Sequence, residues 1–488
     1  MKKTKSQKIL PWKTKDIVLN VITYIINTLL IGFIFIGTIY LGDVSGRLSL
    51  GNYFANPTSF FHFFVLLVLL VALMAIYFFF EDRDFLKNAA NSEMVFLIIE
   101  VSLIICFVSG NYISLYVRPL ALATLMMLFL TDRKKAIFVN MFFCLLTFLF
   151  DSLGSTEINI GEYPVLIMGF ASGAIAVFCM DKVYSRIKLL AMSVIISLPT
   201  VVCIGMMVID IPTENTLGAL ISGACSGPFA VAAFMVLLPV FETLFTRVSS
   251  FKLAELTDHK ARLIRKMIQQ APGTFNHAIV VSNIAESCAI AINEDALLAR
   301  TCAYYHDIGK LRRPEFFKEN QADGFNPHDD LTPELSANII KAHTVDGKNL
   351  IAKHRLPKVI EDVCQEHHGT LPILYFYGKA QKFTDGEVDI AQYCYPGPKP
   401  RTKIAAIIMI ADGCEAAART LQDRSRENVK KVVRKIVNER MELGQFEDCE
   451  ITLKELNIIV HTVVNNLTGI YHNRIEYPKV NLDGIQMQ

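Results

Sequence analysis

The sequence predicts an all-α protein in two parts, a polytopic helical membrane domain followed by an all-helical domain. Three observations predict it. The composition is 52% hydrophobic, with 33 Phe against 19% charged residues, below the charge content of a soluble domain, and nearly all of the imbalance lies before Phe251. Apolar runs recur through that first half, most of them at the ~20 residues that cross a bilayer as helix. After Phe251 the apolar residues return every three to four positions, the helical period, and no convincing set of alternating strands appears. At 488 residues the chain is also too long for one ordinary domain.

Charge and cysteine content narrow the function classes. A formal net charge of +2 gives no support to binding a nucleic-acid polymer by bulk electrostatics. The 11 Cys are scattered singly, with no CxxC pair. That argues against a zinc ribbon or a disulfide framework and suits a reducing compartment.

The chain opens on a basic tail, 1–16, with Lys2, Lys3, Lys5, Lys8, Lys13 and Lys15. The apolar run 17–41 is longer than a signal-peptide core and is followed by more of its kind, so it reads as a retained anchor. Further runs lie at 60–80, 94–109, 113–130, 136–150, 163–180, 189–209 and 217–245, of which 94–109 and 136–150 are short. The count is eight spans over 17–245. Arg133, Lys134 and Lys135 mark one side, and Lys182, Arg186 and Lys188 the same side two spans later, while the loops 151–162 and 210–215 are acidic and hold no Lys or Arg. The positive-inside rule then puts both termini in the cytoplasm, a multi-pass arrangement in the cell membrane. Glu100 and Arg118 fall within spans. They are expected to pair with each other or to lie near helix ends, a structural role either way. The last span is rich in small residues, Gly218, Ser222, Gly223, Ala224, Ser226, Gly227 and Ala230, which permits close helix packing in a bilayer.

Residues 246–270 alternate Leu253, Leu256, Leu263, Ile264, Met267 and Ile268 with Lys252, Glu255, Lys260, Arg262, Arg265 and Lys266. This is an amphipathic connecting helix, ended by the breaker Ala271-Pro272-Gly273. Helical spacing then runs through 278–291, 295–305, 334–342, 403–419 and 429–437, within a domain of 271–478 that leaves a short tail, 479–488.

Into this helical domain the chain places His277, His306, Asp307, His343, His367, His368 and Asp412. Side chains facing one another inside a bundle are how helical proteins build metal sites. Five His and two Asp exceed what one zinc needs and fit two metals bridged by one carboxylate. Such a pair suits phosphate ester hydrolysis: it holds a hydroxide between the metals, polarises the phosphoryl oxygens and stabilises the leaving oxygen. The mixed nitrogen and oxygen donors point to iron or manganese, with cobalt behind them. Lys310, three residues after Asp307, offers a point charge to a phosphate oxygen. His328 is the one other histidine expected to support the site.

Taken in order, these residues resemble the HD-domain metal-dependent phosphohydrolase superfamily, and more narrowly the seven-transmembrane HD family, the PgpH-type cyclic di-AMP phosphodiesterases. The resemblance rests on Ala271-Pro272-Gly273-Thr274-Phe275-Asn276-His277, Tyr305-His306-Asp307-Ile308-Gly309-Lys310, Glu319-Asn320-Gln321 and Asn326-Pro327-His328-Asp329. It continues through His343-Thr344-Val345-Asp346-Gly347, His367-His368-Gly369-Thr370, Tyr395-Pro396-Gly397-Pro398-Lys399-Pro400 and Ala411-Asp412. It implies that His277, His306 and Asp412 hold one divalent metal, iron or manganese, and His343, His367 and His368 the other, with Asp307 between them. It implies hydrolysis of cyclic di-AMP to linear pApA, with His306, Asp307 and Lys310 catalytic and Lys310, Gly369, Thr370 and Lys399 against the substrate. The Gly-Tyr-Pro motif of the related cyclic di-GMP enzymes does not follow His367-His368 here.

Two departures stand out. The loop after the first span, 42–59, is short where typical members carry a large external domain. Asn276-His277 stands where many have two histidines. The partners expected are a cyclic dinucleotide and a lipid bilayer, with a homo-oligomer left open. The competing readings are a nucleotide-binding membrane receptor whose HD domain does not turn over, and an HD phosphohydrolase for another nucleotide. A transporter would show paired broken helices in matching halves, which the spans lack.

Overall fold

The computed structural model describes residues 14–44, 57–154, 163–180, 183, 185–210, 216–321, 326–383 and 387–470. Most of the basic tail, the middle of the 42–59 loop, most of the two acidic loops, Lys182 and everything after Ile470 lie outside the described residues. The chain forms two compact units, Met1–Phe251 and Lys252–Gln488.

The first unit consists of α1 (Thr14–Val44), α2 (Pro57–Glu81), α3 (Ala89–Tyr112), α4 (Leu122–Leu130), α5 (Arg133–Gly154), α6 (Tyr163–Met180), α7 (Arg186–Asp210) and α8 (Thr216–Phe245), with one turn of helix at Arg83–Leu86. Six of these are long and apolar enough to cross a membrane, and two apolar stretches, Leu115–Leu130 and Pro164–Met180, are shorter. The runs at 94–109 and 136–150 grow into helices of 24 and 22 residues. Hydropathy sees only the apolar centre, whereas the helix continues through polar ends, as at Asn88, whose side chain accepts from Ala90 N. The expected span at 113–130 is instead broken. Pro119 disfavours helical backbone at Arg118, which sits at φ −50°, ψ 128°, and regular helix resumes only at Leu122.

Polar groups tie these helices together. Ser92 Oγ donates to Asn20 Oδ1 at 2.7 Å, Asn20 Nδ2 donates to Leu86 O at 2.6 Å, and Asn27 Nδ2 donates to Glu93 Oε2 at 2.9 Å. The expected Glu100–Arg118 pair does not form. Arg118 Nη1 meets both carboxylate oxygens of Asp151, at 2.9 and 2.8 Å, and the cation also lies over the Phe107 ring. Sequence hydropathy placed Asp151 in a loop, but α5 runs past it. Glu100 is buried, and one of its carboxylate oxygens has no hydrogen-bond partner. The small residues of α8 bring its backbone against α7: Gly227 N donates to Ser197 Oγ at 3.0 Å, and a Cβ at Gly227 would collide with the Ser193 carbonyl.

The expected connecting helix over 246–270 is two helices, α9 (Ser250–Leu256) and α10 (Arg262–Gln270). Asp258 causes the interruption: its Oδ1 accepts from Lys260 N at 2.8 Å and its carbonyl from Ala261 N at 2.8 Å, a local turn that competes with helix.

The remaining helices are α11 (Pro272–Ala291), α12 (Ala296–Tyr305), α13 (Pro333–Lys353), α14 (Lys358–Glu366), α15 (Leu374–Phe383), α16 (Lys403–Thr420), α17 (Arg426–Glu442) and α18 (Leu453–Ile470). Their starts are legible. Pro272 and Pro333 open helices at the position where proline is pre-organised, and Asp295, Thr332 and Thr402 cap their first turns. Residues 404–411 of α16 are buried without exception, as in a helix enclosed on all sides. The core packs around it, and Asp412 emerges at the end of that run. Among the described residues there is no strand, only an isolated antiparallel bridge between Pro372 and Cys394.

Candidate metal centre

Five helices and one 3-10 turn deliver the seven candidate ligands. His277 lies one and a half turns into α11. His306 closes α12, and Asp307 opens the 3-10 turn Ile308–Arg312. His343 sits mid-way along α13, His367 closes α14 with His368 after it, and Asp412 rides on α16. The adjacent pairs therefore stand at helix ends, where the backbone departs from helix and successive side chains are freed to point apart.

Asp307 is the hub. Its Oδ2 lies 3.6 Å from His277 Nε2 and 3.3 Å from His306 Nε2; its Oδ1 lies 3.3 Å from His343 Nε2 and 3.7 Å from His367 Nε2. One carboxylate thus faces two sets of imidazoles, one per oxygen. Asp412 closes the opposite side, with Oδ1 3.0 Å from His277 Nε2 and 4.0 Å from His306 Nε2, and Oδ2 3.7 Å from His368 Nδ1. Two groups are close enough for their donor atoms to share a cation: Asp307, His343, His367 and His368, and His277, His306 and Asp307.

The hydrogen bonds at the far side of each ring decide which nitrogen faces inward. His306, His343 and His367 donate Nδ1–H to the carbonyls of Ala303, Ile340 and Cys364, at 2.7, 2.6 and 2.8 Å. A carbonyl only accepts, so each Nδ1 carries the proton and each Nε2 presents a lone pair to the interior. His343 Nε2 and His367 Nε2 then face each other at 3.3 Å, an arrangement of two lone pairs that a cation reconciles. His306 Nε2 and Asp307 Oδ1 are buried and have no hydrogen-bond partner. The donor set fits a metal.

The electrostatics agree. Burial opposes the charge on Asp307, but Lys310 and then His306 outweigh it and hold the carboxyl well below its usual range. Burial keeps the His367 imidazole neutral, helped by the neighbouring His368 and His306, and holds His368 down to about 3. His277 differs. Burial opposes its charge, yet the bonds from Asp412 and Glu415 prevail and push it up to about 10.

The expected substrate contacts have other partners. Lys310 Nζ lies 2.7 Å from Asp307 Oδ2 and 2.7 Å from Glu319 Oε1. Thr370 N donates to Gln445 Oε1 at 3.0 Å, and Gly369, at φ +52°, is packed against the same Gln445. Lys399 Nζ pairs with Glu447 at 2.8 Å. His328 is buried with its ring against Phe316 and Phe376 and its Nε2 bonded to the Phe316 carbonyl at 2.9 Å; it fastens a loop and touches none of the seven. Sequence reasoning missed Glu415, whose Oε2 accepts from His277 Nδ1 at 2.6 Å while Arg419 holds its other oxygen at 2.6 Å. The available signal was its place one turn after Asp412 in an otherwise apolar helix. Tyr395, quoted from the sequence only as part of a motif, stacks on His368 with centroids 4.3 Å apart.

A helical membrane region followed by an all-α domain with a His/Asp cluster defines a membrane-anchored, metal-dependent HD-domain protein. Residues 58–249 match the family described as 7TM receptor with intracellular HD hydrolase, and residues 274–417 match the HD domain. The chain belongs to this seven-transmembrane HD family. It is 35% identical over 420 residues to the cyclic-di-AMP phosphodiesterase PgpH of Bacillus subtilis, covering 83% of this chain and 58% of that protein. It is 36% identical over 367 residues to the protein of the same name in Listeria monocytogenes, covering 74% of this chain and 50% of that protein. The chain thus spans 58% and 50% of the lengths of these relatives. The crystal structure of the L. monocytogenes PgpH HD domain in complex with cyclic-di-AMP is 45% identical, covers 44% of this chain and 99% of that chain, and superposes with a TM-score of 0.42.

Proposed function

We propose that the chain is a phosphodiesterase that hydrolyses a cyclic dinucleotide, cyclic di-AMP, to linear pApA at the cytoplasmic face of the cell membrane. The observation that carries the hydrolytic reading is the set of inward lone pairs around one bridging carboxylate. Substrate identity is supported by the relatives named for that activity, which align along most of this chain. The cytoplasmic placement is supported by the basic loops.

In this reading His277, His306 and Asp412 hold one divalent cation, His343, His367 and His368 a second, and Asp307 lies between them. Iron or manganese suits the nitrogen and oxygen donors. Bound there, the cations supply Lewis acidity to the phosphoryl oxygens and lower the pKa of attacking water. The chain's own groups position the reaction. The carbonyls of Ala303, Ile340 and Cys364 fix the tautomers of His306, His343 and His367. Lys310 carries a positive charge at the edge of the cluster, where a phosphate oxygen would displace one of its two carboxylates. Water adds to one phosphorus, the P–O3′ bond breaks, and the 3′ oxygen leaves with a proton. Gly369, Thr370 and Lys399 are the further substrate contacts of this reading.

A panel of cyclic and linear nucleotides, given to the full chain in detergent with Mn²⁺ and read by product mass, tests the substrate. Cyclic di-AMP is expected to yield pApA faster than the other substrates yield product. A different nucleotide turned over faster would reassign the substrate while leaving the site in place.

A further inference from the structure

A second site lies behind the 3-10 turn that carries Lys310. A cleft of about 350 Å³ opens between α10, that turn and α13, and its walls include Lys266, Gln270, Arg312, Asp346, Asn349 and Lys353. None of the seven candidate ligands lines it. Its volume is in the range of small-molecule sites. Three of its side chains are cationic and one is acidic, and Asp346 is already engaged by Arg312. α10 contains no Asp or Glu. Among the described residues, neither Lys266 nor Lys353 pairs with a carboxylate. His354, next to Lys353, reports the local field: partial burial first, then Arg262, Lys266 and Lys353, hold its imidazole below the ordinary value.

We propose that this cleft binds a phosphate-bearing anion through Lys266, Arg312 and Lys353. Lysine ammonium groups supply point charges, the guanidinium a planar pair of donors, and the Gln270 and Asn349 amides neutral donors for the remaining oxygens. An anion bound there touches two of the elements that carry the metal cluster. The 3-10 turn carries Asp307 at its mouth and Arg312 at its end. α13 carries His343 and, one to three turns on, Asp346, Asn349 and Lys353. Gly309 also lines the cleft, and the turn lies so close to α13 there that a Cβ would collide with the His343 carbonyl. The bound anion therefore clamps the turn to the helix. Its effect on turnover rests on the catalytic reading above; its binding does not. The phosphate comes from a free anion or from a lipid headgroup.

The test is equilibrium dialysis of radiolabelled pyrophosphate against the full chain in nanodiscs, comparing wild type with Lys266→Met/Lys353→Met. Both lysines are exposed and methionine keeps the stem, so metal content and thermal unfolding should match wild type. The double variant is expected to lose one equivalent of bound pyrophosphate, or to bind it about tenfold more weakly, as for two lost charge-assisted contacts. Discs with and without phosphatidylglycerol distinguish the sources. Competition by this lipid in wild type alone identifies a headgroup, and its absence identifies a free anion. Equal pyrophosphate binding by wild type and variant overturns the proposal.

Discussion

Glu415 decides how His277 can act. Its carboxylate is held below the usual range, because the bond from His277 and then Arg419 outweigh its burial. An ionised Glu415 can only accept, so His277 keeps its proton on Nδ1 and turns Nε2 toward Asp412. Glu415→Gln removes the charge and is expected to weaken metal loading about 10-fold to 100-fold, measured as metal content after dialysis. Unchanged loading would mean that the ring is oriented by packing alone. The seven candidate ligands were legible as residue types because histidine is scarce and clusters here beside aspartate. Glu415, Tyr395 and Gln445 were less so. Each acts on a partner brought to it by the fold, Gln445 across 75 positions from Thr370, and no periodicity records such a meeting.

Helices were more legible than their interruptions. Long apolar runs and proline or Asp/Thr starts located most elements, since burial of a continuous face dominates there. The failures came where one local bond or ring overrides pattern: Pro119 breaks the stretch after α3, and Asp258 splits the connecting helix. The start of α18 shows the reverse, a local device reinforced by the fold. Thr452 Oγ1 accepts from Glu455 N at 3.2 Å and Glu455 Oε2 accepts from Thr452 N at 2.8 Å, a capping box. Lys403, at the start of α16, adds an ion pair to Glu455 at 2.7 Å. The bond from Lys403 is the main reason the Glu455 carboxyl is lowered from 4.5 to about 2. A depressed folded-state value means that this stabilisation is complete above pH 4.5 and is lost as pH falls toward 2. Glu455→Gln should therefore lower the thermal midpoint of the full chain more at pH 7 than at about pH 2.5. An equal drop at both pH values would remove the ion pair from the account.

Length, recurring apolar runs and the drop in hydropathy after Phe251 lead to the expectation of two parts, because a bilayer and an aqueous medium demand opposite sequences. The boundary falls at Phe251/Lys252, where the apolar excess ends. What joins scattered residues into one site is packing on the enclosed α16: α11, α12 and α14 lie against it and bring His277, His306 and the His367-His368 pair to the side where Asp412 emerges. The central claim is that this convergence builds a metal centre that hydrolyses cyclic di-AMP. It is tested most directly by measuring bound metal and pApA production in one preparation of the full chain, for wild type and for His306→Ala/Asp307→Ala. Wild type is expected to bind Mn or Fe and to produce pApA, and to lose production on chelation. The double variant should lose both metal and product while remaining folded by thermal unfolding. Full production of pApA by the double variant, or by chelated wild type, would contradict the account.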